Sequence, residues 1–188
     1  MNQSLKVRIP VERVGVLIGP KGSVKAEIES QCKVKLSIDS ETGEVEISST
    51  PEMEDPSLLL KAQNIVLAIG RGFSPMVALK LLDDDYMLEI IDLRGLIGHS
   101  RKNLIRIKGR IIGEKGKTRR IIEESTGANV SIYGHTVALI GRHDEVAVAR
   151  EAVQRLAYGS EHSAVYRMLG KRRRMLKRER LKLWEPTI

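Results

Sequence analysis

Aromatic residues and cysteine are scarce in this chain of 188 residues. Phe, Trp and Tyr together make up 3% of it, which argues against a protein that binds nucleic-acid bases by stacking them on rows of aromatic rings. Cys32 is the only cysteine, so no internal disulfide can form and a disulfide-stapled secreted domain is not expected. The alignment given below pairs Cys32 with Thr126, which indicates a small residue in or near the core rather than a catalytic thiol.

Long apolar runs and the usual signs of catalysis are also missing. No run of about 18 apolar residues occurs, so we expect no membrane span and a cytoplasmic protein. The four histidines share no metal-ligand spacing with one another or with Cys32, so neither a metal nor another cofactor is predicted. Because no Ser/His/Asp grouping and no pair of carboxylates in a glycine-rich setting occurs, the sequence favours a protein that is not an enzyme.

Positive charge is abundant, and it is concentrated in the second half of the chain. The formal net charge is +8. Residues 1–93 contain 10 Lys and Arg against 15 Asp and Glu, whereas residues 94–188 contain 22 against 9. Residues 94–120 alone hold ten basic residues and one acid, Glu114. Like charges at that density repel one another unless a polyanion neutralises them, so the second half is predicted to bind a polyanion.

A short glycine-containing loop occurs twice, 94 residues apart. The first glycine loop, residues 18–22, reads I-G-P-K-G, and the second glycine loop, residues 112–116, reads I-G-E-K-G. An alignment of residues 16–38 with residues 110–132 needs no gap and contains 8 identities in 23 positions. The sequence therefore predicts two copies of one module, in which the loop is followed by a helix and then a strand.

Both copies are predicted to have the element order β-α-α-β-β-α. In the first copy the predicted strands are 5–9, 34–38 and 44–48, and the predicted helical segments are 11–18, 23–31 and 57–69. In the second copy the predicted strands are 86–93, 129–132 and 136–140, and the predicted helices are 100–112, 118–125 and 144–158. Each copy is therefore expected to be an α+β domain.

Two further segments lie outside the repeat. Ser74 followed by Pro75 is a typical helix start, which predicts a short helix over 74–82 that fixes the two modules against each other. Residues 171–182 carry eight Lys and Arg, which predicts a basic amphipathic helix or a tail that becomes helical on binding. The predicted parts are residues 1–73 for the first domain, 74–84 for the connecting helix, 85–160 for the second domain and 161–188 for the basic tail or helix.

Residues 113–118, G-E-K-G-K-T, end like the phosphate-binding loop of an NTPase. That motif needs a further glycine five residues before the glycine of its G-K-T ending. The residue at that position is Ile111, and the first copy continues with Ser23 and Val24 instead of Lys and Thr. NTP hydrolysis is therefore not predicted.

The pattern I-G-x-K-G, followed by a helix and an alternating strand, resembles that of the KH domain. The likeness is clearest over residues 109–132, G-R-I-I-G-E-K-G-K-T-R-R-I-I-E-E-S-T-G-A-N-V-S-I. The order β-α-α-β-β-α is that of the eukaryotic (type I) KH domain, which implies two tandem domains, each with an antiparallel three-stranded sheet. In that family the G-x-x-G loop clamps the backbone of about four single-stranded nucleotides, and the bases lie along an aliphatic groove.

Of the two loops, the second glycine loop is expected to be the working RNA clamp, because it lies in the basic region and contains no proline. Its glycines let a phosphate approach the backbone, and its lysine supplies charge. The first glycine loop is expected to be a scaffold or a weaker contact, because Pro20 removes an N–H and the first half is acidic. The implied RNA-binding residues are Lys108, Arg110, Gly113, Glu114, Lys115, Gly116, Lys117, Arg119, Arg120 and Asn129, with Gly19, Lys21, Gly22 and Lys25 as a secondary set.

Over about residues 5–166 the chain also resembles the small-subunit ribosome-assembly KH proteins of the partner-of-Nob (Dim-two) type, and an archaeal member is expected. The stretches 70–75, 88–93 and 106–113 carry this likeness. It implies a monomer that binds single-stranded rRNA near the 3′ end of the small-subunit RNA and assists pre-rRNA processing. The implied protein partner is a Nob-type endonuclease or another assembly or translation protein. The acidic first half leaves an alternative open, a protein-interaction adaptor for an rRNA endonuclease or translation factor in which RNA contact is secondary.

Overall fold

The computed structural model describes residues 4–182, except for the side chains of residue 176 and residues 179–182. Residues 1–3 and 183–188, which the sequence assigned to the first domain and to the basic tail, lie outside the described part. The chain divides into two compact units, residues 1–88 and residues 89–188.

The sheet of the first unit is built from three short segments of alternating residues. β1 (Ser4–Arg8), β2 (Val34–Ile38) and β3 (Glu44–Ser49) form an antiparallel sheet in the order β1-β3-β2. β3 lies in the centre, where Ile47 pairs with a residue of β1 on one side and of β2 on the other. Because side chains alternate along a strand, the apolar residues of the three strands share one face of the sheet.

The first unit has three helices, α1 (Val11–Ile18), α2 (Ser23–Cys32) and α3 (Ser57–Gly70). α2 and α3 pack on that face of the sheet, and α1 packs against both of them. The first glycine loop joins α1 to α2 through a 3-10 turn, Pro20–Gly22. Leu17, Ile28 and Ile65, one from each helix, are fully buried. Burying a side chain of this size contributes about 1.5–3 kcal/mol, so both helices that flank the loop are firmly held.

The predicted connecting helix is α4 (Pro75–Ala78) followed by a 3-10 turn, Leu79–Leu82. Ser74 begins it, since its side chain accepts a backbone N–H hydrogen bond from α4. Both pieces pack against α3, and Lys61 of α3 donates a hydrogen bond of 2.8 Å to the carbonyl of Leu82. In its contacts within residues 1–88, the segment is part of the first unit.

The sheet of the second unit repeats the order of the first. β4 (Tyr86–Asp92), β5 (Asn129–Tyr133) and β6 (Thr136–Arg142) are arranged β4-β6-β5, so β5 is an edge strand. The turn between β5 and β6 is only two residues long, and Gly134 in it has a φ of +56°. The predicted fold class is confirmed, with two α+β domains that each contain a three-stranded antiparallel sheet.

Four helices accompany this sheet: α5 (Leu93–Ile97), α6 (Arg101–Ile112), α7 (Lys117–Thr126) and α8 (His143–Ala157). The sequence did not predict α5, and it extended the strand through residue 93. The strand ends at Asp92 because the carboxylate of Asp92 caps α5 by accepting a hydrogen bond of 2.9 Å from the N–H of Arg94. Gly98, with a φ of +79°, then separates α5 from α6.

The basic C-terminal segment is the second part of a long helix, α9 (His162–Lys182). This helix packs against α7 and α8, and its residues Val165 and Leu169 are fully buried. It begins nine residues before the predicted basic stretch 171–182. The first turns of α9 are therefore part of the core of the second unit.

Candidate nucleic-acid interface

The second glycine loop joins α6 to α7 through a single 3-10 turn, Glu114–Gly116. Gly113 enters this turn with φ +74° and ψ 173°, a backbone conformation that is essentially restricted to glycine. A Cβ at this position would lie 2.6 Å from the backbone nitrogen of Thr118. Both the conformation and the space at position 113 therefore require glycine.

The outer side of the second glycine loop is open. Lys115 and Gly116 have left-handed backbone conformations, with φ of +49° and +76°. A Cβ at Gly116 would have no described atom within 4 Å, so glycine serves there by its conformation and not by its small size. The side chain of Lys115 is exposed. A ligand backbone can consequently approach the loop closely on this side, next to a cation.

The N-terminal end of α7 adds a favourable electrostatic environment for an anion. Gly116 precedes the helix, and among the described residues no side chain caps its first N–H groups. The first turn contains no acid and begins with Lys117. Because the first N–H groups of a helix carry its positive dipole end, this end of α7 favours a negatively charged group.

The predicted basic residues of α7 lie on three different sides of the helix. Arg119 is on the side of β5, where its Nε lies 3.5 Å from the carboxylate of Glu123. Lys117 is on the opposite side and lines a cleft towards α9. Arg120 lies between them and is exposed to solvent. The structure therefore does not bring all three cations to one surface.

Glu123 connects α7 to the edge strand β5. Its Oε1 accepts a hydrogen bond of 2.8 Å from the backbone N–H of Val130. Glu29 of α2 accepts a hydrogen bond of the same length from Leu36 of β2. An edge strand leaves N–H groups unpaired by its sheet, so in both units the repeated glutamate satisfies one of them and holds the helix beside the strand. The sequence alignment contained this identity, but its role could be seen only in the fold.

Arg110, which the resemblance assigned to RNA binding, is used inside the second unit. Its guanidinium donates hydrogen bonds to the carbonyls of Leu156 and Ser160, at the C-terminal end of α8. Its own carbonyl lies 2.9 Å from Nε2 of His162. Arg110 thus connects α6 to α8 and α9. Two other predicted RNA-binding residues, Lys108 of α6 and Asn129 at the start of β5, are half-buried.

The first glycine loop has the same backbone shape as the second. Gly19, Lys21 and Gly22 have φ of +74°, +53° and +76°. Its chemistry differs at one position, because Pro20 has no N–H where Glu114 has one. Lys25 lies 3.9 Å from the carboxylate of a glutamate one turn later, so part of its charge is offset. The first glycine loop therefore has the backbone shape of the second, but its surroundings carry less positive charge.

α9 supports the second glycine loop from behind. The hydroxyl group of Tyr166 lies 2.7 Å from that of Thr118, which is buried in the first turn of α7. A cleft of about 380 Å³ lies between α6, α7 and α9, and its lining includes Arg106, Lys117 and His162. Val24, at the position of Thr118 in the repeat, has no hydroxyl group, so the first unit cannot form this hydrogen bond. The sequence alone did not indicate this contact.

Cys32 is buried and does not belong to any polar site. Its side chain is 0% exposed, which confirms the predicted core position. Burial raises the pKa of the Cys32 thiol to about 11. Within residues 4–182, no group of three or more His, Cys, Asp or Glu residues is arranged to hold a metal ion, and no helix is long and apolar enough to cross a membrane.

Two family profiles match the chain. The eukaryotic type KH-domain (KH-domain type I) profile matches residues 87–174. The KH domain profile matches residues 4–60. Each matched segment includes one of the glycine loops, together with the helix and strand that follow it.

Similar proteins are known from archaea and eukaryotes. A KH domain-containing protein of Methanocaldococcus jannaschii is 50% identical over 179 residues, which cover 95% of this chain and 78% of that protein. The pre-rRNA-processing protein PNO1 of Candida glabrata is 30% identical over 169 residues, covering 87% of this chain and 64% of that protein. In the crystal structure of the a/eIF2alpha–aDim2p–rRNA complex from Pyrococcus horikoshii, one chain is 53% identical, with a TM-score of 0.87 and coverage of 92% of this chain and 95% of that chain.

Proposed function

The chain belongs to the PNO1/Dim2 family of tandem KH-domain proteins, and we propose that it is a small-subunit ribosome-assembly factor that binds single-stranded rRNA and assists pre-rRNA processing. The Candida glabrata relative is named for pre-rRNA processing, and the Pyrococcus horikoshii complex contains rRNA. Its role would be to hold rRNA near the 3′ end of the small-subunit RNA, without catalysing a reaction. Its site of action would be the cytoplasm.

The observation that carries this proposal is the second glycine loop in its setting. The open side at Gly116, the exposed Lys115 and the N-terminal end of α7 face the same small region. That region lies within residues 94–120, which carry ten basic residues and one acid. A phosphate backbone would neutralise these charges and could approach the loop closely enough to accept hydrogen bonds from N–H groups.

The proposed contacts follow the geometry of α7 and β5. Lys115 and the backbone of residues 113–116 would contact phosphates. Arg119, on the β5 side, would extend this contact towards the groove in which Asn129 and its strand line the bases. Arg120, Lys117 and Lys108 would supply longer-range attraction, and Arg110 would support the loop through α8.

The test is the replacement of both loop residues between the glycines, Glu114→Asp with Lys115→Asp. The variant removes one cation and adds a second anion where a phosphate would lie, so affinity for single-stranded RNA from the 3′ end of the small-subunit rRNA should fall sharply. The measurement is RNA binding by fluorescence anisotropy over a series of salt concentrations. For the wild type, the slope of log affinity against log salt should be about −0.7 for each phosphate neutralised.

The chain contains a matched control for this variant. Lys21→Asp makes the same change of two charge units at the corresponding position of the first glycine loop, which has the same backbone shape. This control should reduce RNA affinity much less, and both variants should keep the wild-type circular dichroism spectrum and melting temperature. Unchanged RNA affinity in the Glu114→Asp/Lys115→Asp protein would refute the proposed RNA site.

A second candidate function is protein recruitment by the acidic first unit. The related Pyrococcus horikoshii chain was crystallised with a/eIF2alpha as well as rRNA, and residues 1–93 of this chain carry a net negative charge. A monomer could then bind rRNA with its second unit and a translation factor or Nob-type endonuclease with its first. Isothermal titration of the full chain against each purified protein would test this. The adaptor role would be the principal one if the Glu114→Asp/Lys115→Asp protein still supported pre-rRNA processing and loss of a protein partner abolished that processing.

A further inference from the structure

α9 runs beside α7 along the whole length of α7. Its start is fixed at the second glycine loop by the Tyr166–Thr118 hydrogen bond. Two turns later, Arg173 and Lys177 lie beside residues 124–127 at the other end of α7. With a rise of 1.5 Å per residue, the 21-residue helix is about 31 Å long, so it extends from the loop past the end of α7.

One face of α9 is buried and the opposite face is basic. Val165 and Leu169 point into the second unit and are fully buried. Arg167, Lys171 and Arg174 are spaced by four and three residues, which places them together on the side opposite to this apolar face. All three are exposed, and no carboxylate of a described residue lies within 4.0 Å of their charged groups. We call these three residues the α9 stripe.

The α9 stripe borders a gap in the helix surface at Gly170. A Cβ at Gly170 would have no described atom within 4 Å, and glycine in a helix interior is less stable than alanine. The gap is part of an open depression of about 720 Å³ on the surface of α9. Apart from Gly170 its lining is entirely basic, namely Arg167, Lys171, Arg173, Arg174 and Lys177. Arg173 and Lys177 also lie beside Glu124 and Glu145, so the three residues of the α9 stripe are the cations on this surface that are left for a phosphate backbone, in which one phosphate can be shared by several of them.

We infer that the α9 stripe is a second RNA-binding surface, which holds the phosphate backbone of the rRNA segment next to the nucleotides gripped by the second glycine loop. This inference rests on the proposed RNA-binding function of that loop. The loop holds only about four nucleotides, and α9 starts at its back, so an RNA that continues beyond the clamp on this side meets the stripe. The contact is to phosphates and therefore carries no sequence preference.

RNA fits this surface better than a lipid membrane does. A helix that binds a membrane presents apolar side chains to the acyl region beside its basic residues. In α9 the apolar side chains Val165 and Leu169 are buried against the second unit, and Met175, which is 44% exposed, lines a cleft towards α8. The exposed side offers cations around a gap, with the RNA-binding loop at its beginning.

The experiment removes the stripe and varies the length of the RNA. The variant is Arg167→Gln/Lys171→Gln/Arg174→Gln, in which glutamine preserves helix propensity. The probes are a short single strand of about four nucleotides and a longer one of about 20, the latter with and without an adjoining hairpin. The variant should bind the short RNA like the wild type. For the longer RNA, the slope of log affinity against log salt concentration should become shallower by about 2. If both proteins bind equally at 1 M salt, this change corresponds to about a hundredfold loss of RNA affinity at 0.1 M salt.

A matched control removes three cations of the second unit that lie outside the α9 stripe, two on α8 and one on the side of α9 that faces α8. In Arg150→Gln/Arg155→Gln/Arg172→Gln each lost arginine is one that contacts a glutamate, at 3.2, 2.7 and 4.0 Å. This control should keep the wild-type salt slope for the longer RNA. If the stripe variant and the control bind the longer RNA equally, the inference is wrong. If the stripe variant loses binding to vesicles containing phosphatidylserine but not to RNA, the surface serves a membrane and the inference is also wrong.

The two proposals fail in different ways. A failure of the second glycine loop would appear with the short RNA, in the Glu114→Asp/Lys115→Asp protein. A failure of the α9 stripe would appear only with the longer RNA. The longer probe with the hairpin shows which form of RNA the stripe binds. A loss of affinity seen only with the hairpin assigns the contact to a duplex backbone. A loss of affinity for both longer probes assigns it to a single strand. Either result supports the inference.

Discussion

Arg13 and Arg110 make equivalent contacts from positions that are not equivalent in the repeat. Arg13 of α1 donates hydrogen bonds of 2.8 and 2.7 Å to the carbonyls of Ile69 and Phe73 at the end of α3. Arg110 of α6 reaches the corresponding end of α8, although the alignment pairs Arg110 with Val16. In both units a guanidinium thus connects the helix before the glycine loop to the helix that closes the domain.

Replacing Arg110 with glutamine should lower stability more than RNA affinity. Hydrogen bonds from a charged group contribute about 1.5–3 kcal/mol, and Arg110→Gln leaves the carbonyls at the end of α8 without this donor. The free energy of unfolding, measured by urea denaturation, should fall by about that amount. Arg120→Gln, at an exposed position, should show the reverse pattern. A large loss of RNA affinity in fully folded Arg110→Gln protein would show that this arginine contacts RNA directly.

The two glycines of the second glycine loop should respond differently to alanine. Gly116→Ala places a Cβ in open space, so the only expected loss of stability is that of a left-handed backbone with a side chain, about 1–2 kcal/mol. Gly113→Ala adds a contact of 2.6 Å with the nitrogen of Thr118, so the start of α7 must move. Thermal denaturation should therefore show a larger loss for Gly113→Ala. Equal losses would mean that the loop relaxes without disturbing α7.

The pH dependence of stability should contain a contribution from Cys32. Burial raises the pKa of its thiol from an ordinary value of 9.0 to about 11, so the folded state holds the proton more tightly than the unfolded state. The resulting stabilisation is complete below pH 9 and is lost as the pH rises towards 11. Two pKa units correspond to about 2.7 kcal/mol. Urea denaturation at pH 8.5 and pH 11 should show a loss in the wild type that exceeds the loss in Cys32→Ala by about 2 kcal/mol, because the thiol of the folded state is half ionised at pH 11.

The sequence was most informative where a regular pattern determines an element. β2 was predicted with its observed bounds because Val34–Ile38 alternates strictly, and Gly127 marked the end of α7 because its left-handed conformation suits glycine. The five-residue helix α5 was missed, since so short a segment cannot show a helical period. The duplicated loop was recognised because both copies must meet the same backbone requirement at their glycines.

The candidate site could be predicted in kind but not in detail. The charge cluster and the loop identified the second unit, because both are properties of neighbouring residues. The sides of α7 that Lys117 and Arg119 occupy depend on where β5 and α9 lie, and the contact between Arg110 and α8 joins residues 46 positions apart. Neither follows from sequence spacing within one element. For the same reason, the alignment showed that Glu29 and Glu123 are identical, but it did not show that each accepts a hydrogen bond from an edge strand.

The Tyr166–Thr118 hydrogen bond has a consequence for where the second KH domain ends as a folding unit. A fragment that stopped at residue 160 would retain every element of the β-α-α-β-β-α order, yet it would expose the parts of α7 and α8 that Val165 and Leu169 cover. Exposed apolar surface would then lie directly behind the second glycine loop. The start of α9 therefore belongs to the core of the second unit as fully as the six elements of the repeated order do.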